Sequence, residues 1–139
     1  MTERNLGPVP SRLVLLADLP SVAFGEKIRF LGCVSKYSIS TGTLSLIYGH
    51  ADNTPVPCVA HVDVRLLLSS LKSTDTEVGE WVNVIGYIAV PPRTMKKSTM
   101  AMQRAQHVNV QAIMLWSAGA IKIDDYERTL EQRLEMAKH

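Results

Sequence analysis

Four cationic side chains in one segment are the residues best suited to bind a ligand. Arg93, Lys96, Lys97 and Arg104 occur together, and no Asp or Glu occurs anywhere in the range 81–123. Lys and Arg side chains without acidic neighbours suit the phosphates of a nucleic acid. The chain as a whole has 15 Lys+Arg against 13 Asp+Glu, a net charge of +2, so only this local distribution indicates a polyanion. The alternative is that these side chains form an ordinary solvated surface. Judged on charge alone, that alternative is favoured over a nucleic-acid site.

Residues that could perform catalysis or bind a metal are present, but without the spacing that such sites need. No HxxxH or CxxC pair occurs, and the glycine motifs of nucleotide-binding and hydrolase sites are missing. We therefore expect no enzyme, no cofactor and no metal. The histidines are dispersed, at His50, His61, His107 and His139.

The two cysteines and the chain length bound the class of protein. Cys33 and Cys58 are too few for a disulfide scaffold, and both fall in strand patterns, where a free cysteine behaves as a small hydrophobe. We expect a reducing compartment. No signal peptide or membrane span is predicted, and 139 residues favour one soluble, intracellular domain.

The elements that would position these residues are mainly strands. Alternating apolar positions predict five strands, and glycines at positions 32 and 86 interrupt the first and fourth. Asp63 is a plausible N-cap for a short helix over Val64–Leu71, followed by a polar loop. The segment Leu13–Leu16 fits a short strand or helical turn over the core, ended by Leu19-Pro20. The predicted strands cover 27–34, 43–48, 56–62, 80–90 and 108–116.

The last segment has the clearest helical period. Ile123, Tyr126, Leu130 and Leu134 form one apolar stripe with charged residues opposite. The predicted organisation is one domain over 1–139, with an N-terminal extension (1–24), a barrel (27–117) and a C-terminal helix (123–138).

Five strands with glycines in two long ones, and a helix between strands three and four, are typical of an OB-fold. This all-β fold with helices is a five-stranded Greek-key barrel. A split barrel or an SH3-like barrel with an appended helix are the alternatives, and the glycines and the helix position favour the OB-fold.

An OB barrel binds single-stranded nucleic acid through strands two and three and the loops that join strands one to two and four to five. The four-to-five loop contains the four cations, and the one-to-two region contains Lys36 and Tyr37. Tyr37 and Tyr48 are candidates to stack on bases. The alternative for each tyrosine is structural, with Tyr48 capping the core and Tyr37 at its rim.

Three segments resemble a known family. The segments are Gly25–Val34, Trp81–Tyr87 and Val110–Trp116, and a helix that begins with Asp and Tyr follows the last of them. They are similar to the fungal Ten-one (Ten1) subunit of the CST (Ctc–Stn–Ten) telomere-capping complex. The resemblance covers about residues 10–134. It implies an OB-fold that pairs with the N-terminal OB domain of the Stn-one (Stn1) subunit and, through it, with the larger subunit.

The resemblance further implies a nuclear protein at chromosome ends. Such a protein contributes to the binding of telomeric single-stranded DNA, which it binds only weakly when alone. It also contributes to end protection and fill-in synthesis. In this family the C-terminal helix and one barrel face contact the partner, so Ile123, Tyr126, Leu130 and Leu134 are expected there. We expect Ile123 and Tyr126 to lie inward or at the boundary, and Leu130 and Leu134 toward the partner, unless all four close the chain's own core. An autonomous single-strand binder outside telomeres is the first alternative, and a small barrel enzyme or ligand carrier is the second.

Overall fold

The computed structural model describes residues 10–48, 58–90 and 106–119, together with Gln132. Its strands are β1 (Arg12–Leu13), β2 (Lys27–Ser38), β3 (Thr43–Ile47), β4 (Cys58–Asp63), β5 (Trp81–Ala89) and β6 (Gln106–Ser117). Three 3₁₀ helices cover Leu16–Ser21, Arg65–Leu67 and Ser73–Thr76. Within these described residues no helix is long and apolar enough to cross a membrane.

Five strands close into a barrel in the order β2-β3-β4-β6-β5, and β5 pairs back with β2. The β4–β6 pair is parallel and the others are antiparallel. This order and the position of the short helices between β4 and β5 confirm the predicted OB-fold.

Alternation along each strand builds the core. Leu44 and Leu46 of β3 and Ala60 and Val62 of β4 are fully buried, whereas the residues between them are half-buried on the outer face. The side-chain period of a strand is two, so one register fixes both faces. The faces predicted for these two strands are therefore confirmed.

The N-terminal segment covers part of this core. β1 lies parallel to β2, with Arg12 beside Ile28. The first 3₁₀ helix then buries Leu16 and Leu19, which are 1% and 0% exposed. The prediction that Leu19-Pro20 ends this segment is wrong, because Pro20 lies inside the 3₁₀ helix.

The predicted helix over Val64–Leu71 is much shorter in the structure. Only Arg65–Leu67 is helical, and a second 3₁₀ helix, Ser73–Thr76, occupies the predicted loop. Leu67 and Leu71 pack against the core, but Leu68 is 52% exposed, so the predicted apolar face is incomplete.

Candidate nucleic-acid interface

The outer face of β3, β4 and β6 is polar. Lys36, Ser45, His61 and Asn109 form a row across β2, β3, β4 and β6, because each is the register partner of the next. A second row contains Thr43, Asp63 and Gln111. We call this surface the polar face, and it includes the two strands that an OB barrel uses to bind single strands.

A groove of about 630 Å³ lies at one end of the polar face. Thr41 from the β2–β3 turn, His61 and Arg65 line it, and so does Val90, the last described residue before the loop that joins β5 to β6. That loop contains the predicted phosphate-binding residues Arg93, Lys96, Lys97 and Arg104, all of which lie outside the described residues.

Lys36 and Tyr37 lie within β2, so their assignment to a joining loop is wrong. β2 continues to Ser38 because a bulge between Val34 and Lys36 lets it follow β3 around the barrel. The bulge leaves Lys36 exposed beside Ser45, and Tyr37 opposite Leu44 is half-buried against the core. Of this pair, Lys36 is therefore the more exposed residue, and stacking of Tyr37 on a base stays a prediction.

Tyr48 is half-buried and packs against the core. Its ring and that of Trp81 form a T-shaped contact, with centroids 5.6 Å apart and planes at 83°. Such T-shaped pairs stabilise aromatic contacts. This packing agrees with the structural alternative for Tyr48, and its stacking on a base stays a prediction.

Two histidines that the sequence leaves unconnected meet on the polar face. His61 Nε2 and His107 Nδ1 are 2.8 Å apart and share a hydrogen bond, although the residues are 46 positions apart. Ser45 Oγ lies 3.4 Å from His61 Nδ1. Burial, then His107, then Lys36 lower the pKa of His61. Because no local motif links β4 to β6, sequence spacing contains no signal for this pair.

Asp63 is bound by its neighbour Arg65 at the end of β4. The guanidinium Nη2 donates to Asp63 Oδ2 at 2.7 Å, and the Arg65 backbone N–H donates to Oδ1 at 3.0 Å. The side-chain hydrogen bond from Arg65 is the main cause that lowers the pKa of Asp63. The prediction that Asp63 is the N-cap is wrong, because Val64 occupies that position. The Asp63 carboxylate instead accepts from the backbone N–H of Arg65, the first residue of the helix.

The two cysteines are free thiols. Cys58 lies in the core, and burial raises the pKa of its thiol to about 11, which keeps it protonated and unreactive near neutral pH. Among the residues that the structure describes, no three His, Cys, Asp or Glu side chains group as a metal site would require.

The outer face of β2, β5 and β6 is different in character. Met114, 53% exposed, lies beside Ile85, and the Arg29 guanidinium lies 5.2 Å from the ring centroid of Trp116. Leu31 also lies on this face and is buried. We call this surface the apolar face. Large apolar side chains on one outer face are suited to contact a protein.

The predicted partner residues Ile123, Tyr126, Leu130 and Leu134 lie outside the described residues. Gln132, between the last two, is helical and exposed.

Comparison with known proteins shows which family and which proteins this chain is similar to. The Ten1 family, described as "Telomere capping, CST complex subunit", matches residues 1–131. Protein ten1 of Schizosaccharomyces pombe is 25% identical over 123 residues, which cover 88% of this chain and 93% of that protein.

Two solved structures have the same fold. A crystal structure of the S. pombe Stn1-ten1 complex matches with a TM-score of 0.64 and 24% identity, over 94% of this chain and 98% of the matched chain. A crystal structure of the telomere capping protein Ten1 from S. pombe matches with a TM-score of 0.64 and 23% identity, over 91% and 99%. With the family match over nearly the whole chain, these findings show that the chain belongs to the Ten1 family of telomere-capping CST complex subunits.

Proposed function

We propose that this chain acts in the nucleus at chromosome ends, as the small subunit of a CST-type complex. It pairs with the N-terminal OB domain of an Stn1 subunit and reaches the larger subunit through it. The observation that carries this proposal is the match to a chain of the Stn1-ten1 complex over 94% of the sequence. We assign it no catalytic step, and its role is to hold and protect single-stranded DNA together with its partners during capping and fill-in synthesis.

The partner contact is proposed to combine the apolar face with the C-terminal segment. Met114 offers exposed apolar area on the barrel beside the half-buried Ile85. The apolar stripe of the predicted helix is formed by Ile123, Tyr126, Leu130 and Leu134. Interfaces depend on a few buried apolar and aromatic anchors, so Tyr126 is a candidate anchor.

Co-expression with the Stn1 OB domain of the same organism tests the partner contact. Leu130→Glu with Leu134→Glu, or truncation after Asp124, should abolish co-elution in size-exclusion chromatography, and Met114→Glu should weaken it. Gln132→Glu is the matched control, since this exposed position lies between the two leucines. Full co-elution of the truncated chain would contradict the C-terminal contact.

The DNA contact is proposed to follow the polar face and the β5–β6 loop. Lys36 on the polar face binds phosphates together with Arg93, Lys96, Lys97 and Arg104. The half-buried Tyr37 and Tyr48 stack on bases. Val90, at the start of the loop, lines the groove, which supports placing the two surfaces together.

The salt dependence of binding to a single-stranded oligonucleotide tests this contact. Lys96→Glu with Lys97→Glu should reduce the slope of log K against log salt by about 2, because each lost phosphate contact removes about 1. Lys72→Glu, at an exposed lysine beside the last 3₁₀ helix, is the control and should leave the slope unchanged. A slope near zero in the unmodified complex would contradict phosphate contacts. Strong binding by the isolated chain would instead favour an autonomous single-strand binder.

A further inference from the structure

The histidine pair on the polar face forms an in-plane contact. The imidazole centroids of His61 and His107 are 5.0 Å apart with only 16° between the ring planes. With a nitrogen–nitrogen distance of 2.8 Å, this geometry describes two rings joined edge to edge by one hydrogen bond. In a neutral pair one ring nitrogen donates and the other accepts, so the pair shares a single proton between its facing nitrogens.

The surroundings of His61 disfavour its charged form. Burial, His107 and Lys36 all lower the pKa of His61, and burial is the largest cause. The facing positions on β3 and β6 are Ser45 and Asn109, which do not titrate here. Asp63, two residues along β4, is engaged by Arg65.

These surroundings favour an anion over a metal ion. The ring nitrogens are at hydrogen-bond distance, Lys36 places a positive charge nearby, and no third ligand joins the pair within the described parts of the chain. A phosphate beside Lys36 would act in the opposite direction, because an adjacent negative charge stabilises an imidazolium.

We infer that His61 and His107 form a proton-coupled phosphate contact for single-stranded nucleic acid. A backbone phosphate binds over Lys36 and the pair, and the pair takes up one proton from solvent as it binds. The second imidazole then accepts a hydrogen bond from the imidazolium, which spreads the charge between the rings. This inference rests on the proposed DNA contact, and it adds a pH dependence that phosphate binding by Lys and Arg alone does not have.

Fluorescence anisotropy with a labelled oligo-dT of about 18 nucleotides tests the inference, with the full chain alone and bound to its Stn1 partner. At constant ionic strength, affinity should rise by roughly threefold to tenfold per unit as the pH falls from about 7.5 to about 6, because one proton is linked to binding. Calorimetry in two buffers of different ionisation enthalpy should show uptake of about one proton.

His61→Gln and His107→Gln should each remove most of the pH dependence, and His139→Gln, in the terminal residue, should retain it. Thermal melts of each variant check that the fold is intact. Salt-sensitive binding without pH dependence, or equal pH dependence in His61→Gln, would overturn the histidine contact and leave the proposed function standing. No oligonucleotide binding at any pH, alone or in the complex, would overturn both.

Discussion

Gly86 is a residue at which two barrel strands lie too close together for a side chain. A Cβ atom built there would lie 2.3 Å from the backbone oxygen of Gln111 on β6 and 2.9 Å from Val110 Cγ1. The register between β5 and β6 shifts at Ile85/Gly86, so the strands bend together at this point. A backbone oxygen cannot rotate away as a flexible side chain can, and barrel closure therefore depends on the missing side chain.

Gly86→Ala should destabilise the fold by about 3 kcal/mol, at the upper end of typical overpacking costs. Urea unfolding measures the loss. Gly25→Ala is the control for backbone strain alone, because Gly25 has a φ of 83° with open space around its Cα, and should cost about 1 kcal/mol. Equal losses in the two variants would contradict the close-approach argument.

Residue types could be assigned to surfaces from the sequence, but contacts between residues distant in the chain could not be predicted. The interior glycines at 32 and 86 are recognisable because a strand rarely tolerates glycine without a structural reason. The His61–His107 contact depends on the parallel register of β4 and β6, in which Val59 faces His107 and His61 faces Asn109. Register between strands distant in the chain is set by closure of the whole barrel, so the contact has no local signature.

Among the elements, the short 3₁₀ helix Leu16–Ser21 contributes two buried leucines to the core. It follows β1 directly, and Leu16 lies close to Gly32, where an added Cβ would be 3.0 Å from Leu16 Cδ1. Leu19 is fully buried in the same core cluster. The segment before β2 is therefore an integral layer of the barrel core.

Leu19→Ala should destabilise the fold by about 2–5 kcal/mol, the usual cost of removing a large buried side chain and leaving a cavity. Phe24→Ala is the matched control, since it removes a larger apolar group that is 68% exposed. Its effect should stay within about 0.5 kcal/mol. Thermal melts of both variants give the comparison, and similar melting temperatures would contradict the covering role of this helix.

The strands β3 and β4 were predictable here and the helix after β4 was not, for a physical reason. Alternation in β3 and β4 follows directly from one buried and one outer face. The Leu-rich stretch 64–71 has helical spacing, yet the Val64 N–H binds the Gly42 carbonyl at 2.9 Å and fixes the start of the turn. Tertiary contacts at the barrel end thus override local helical preference, and of the leucines in this stretch only Leu67 and Leu71 pack against the core.

At the scale of the whole molecule, barrel closure separates two surfaces. The polar face contains Lys36 and the histidine pair, and the apolar face contains Met114 and Trp116. Both include β6, whose twelve residues pass from one surface to the other. A single small domain can therefore offer nucleic acid and a protein partner separate surfaces.

The polar face should also make the stability of the free protein depend on pH. The pKa of His61 is lowered in the folded state, so the unfolded chain binds the proton first as the pH falls below about 6.5, and stability decreases. The pKa of Asp63 is lowered as well, chiefly by Arg65. Its contribution to stability is therefore present above the ordinary pKa of an aspartate and is lost at more acidic pH.

Urea unfolding between about pH 8 and pH 3 should resolve both contributions to stability. His61→Gln should flatten only the decrease near pH 6, whereas Asp63→Asn should flatten only the acidic one. An unchanged profile in His61→Gln would mean that the histidine is not desolvated in the native barrel.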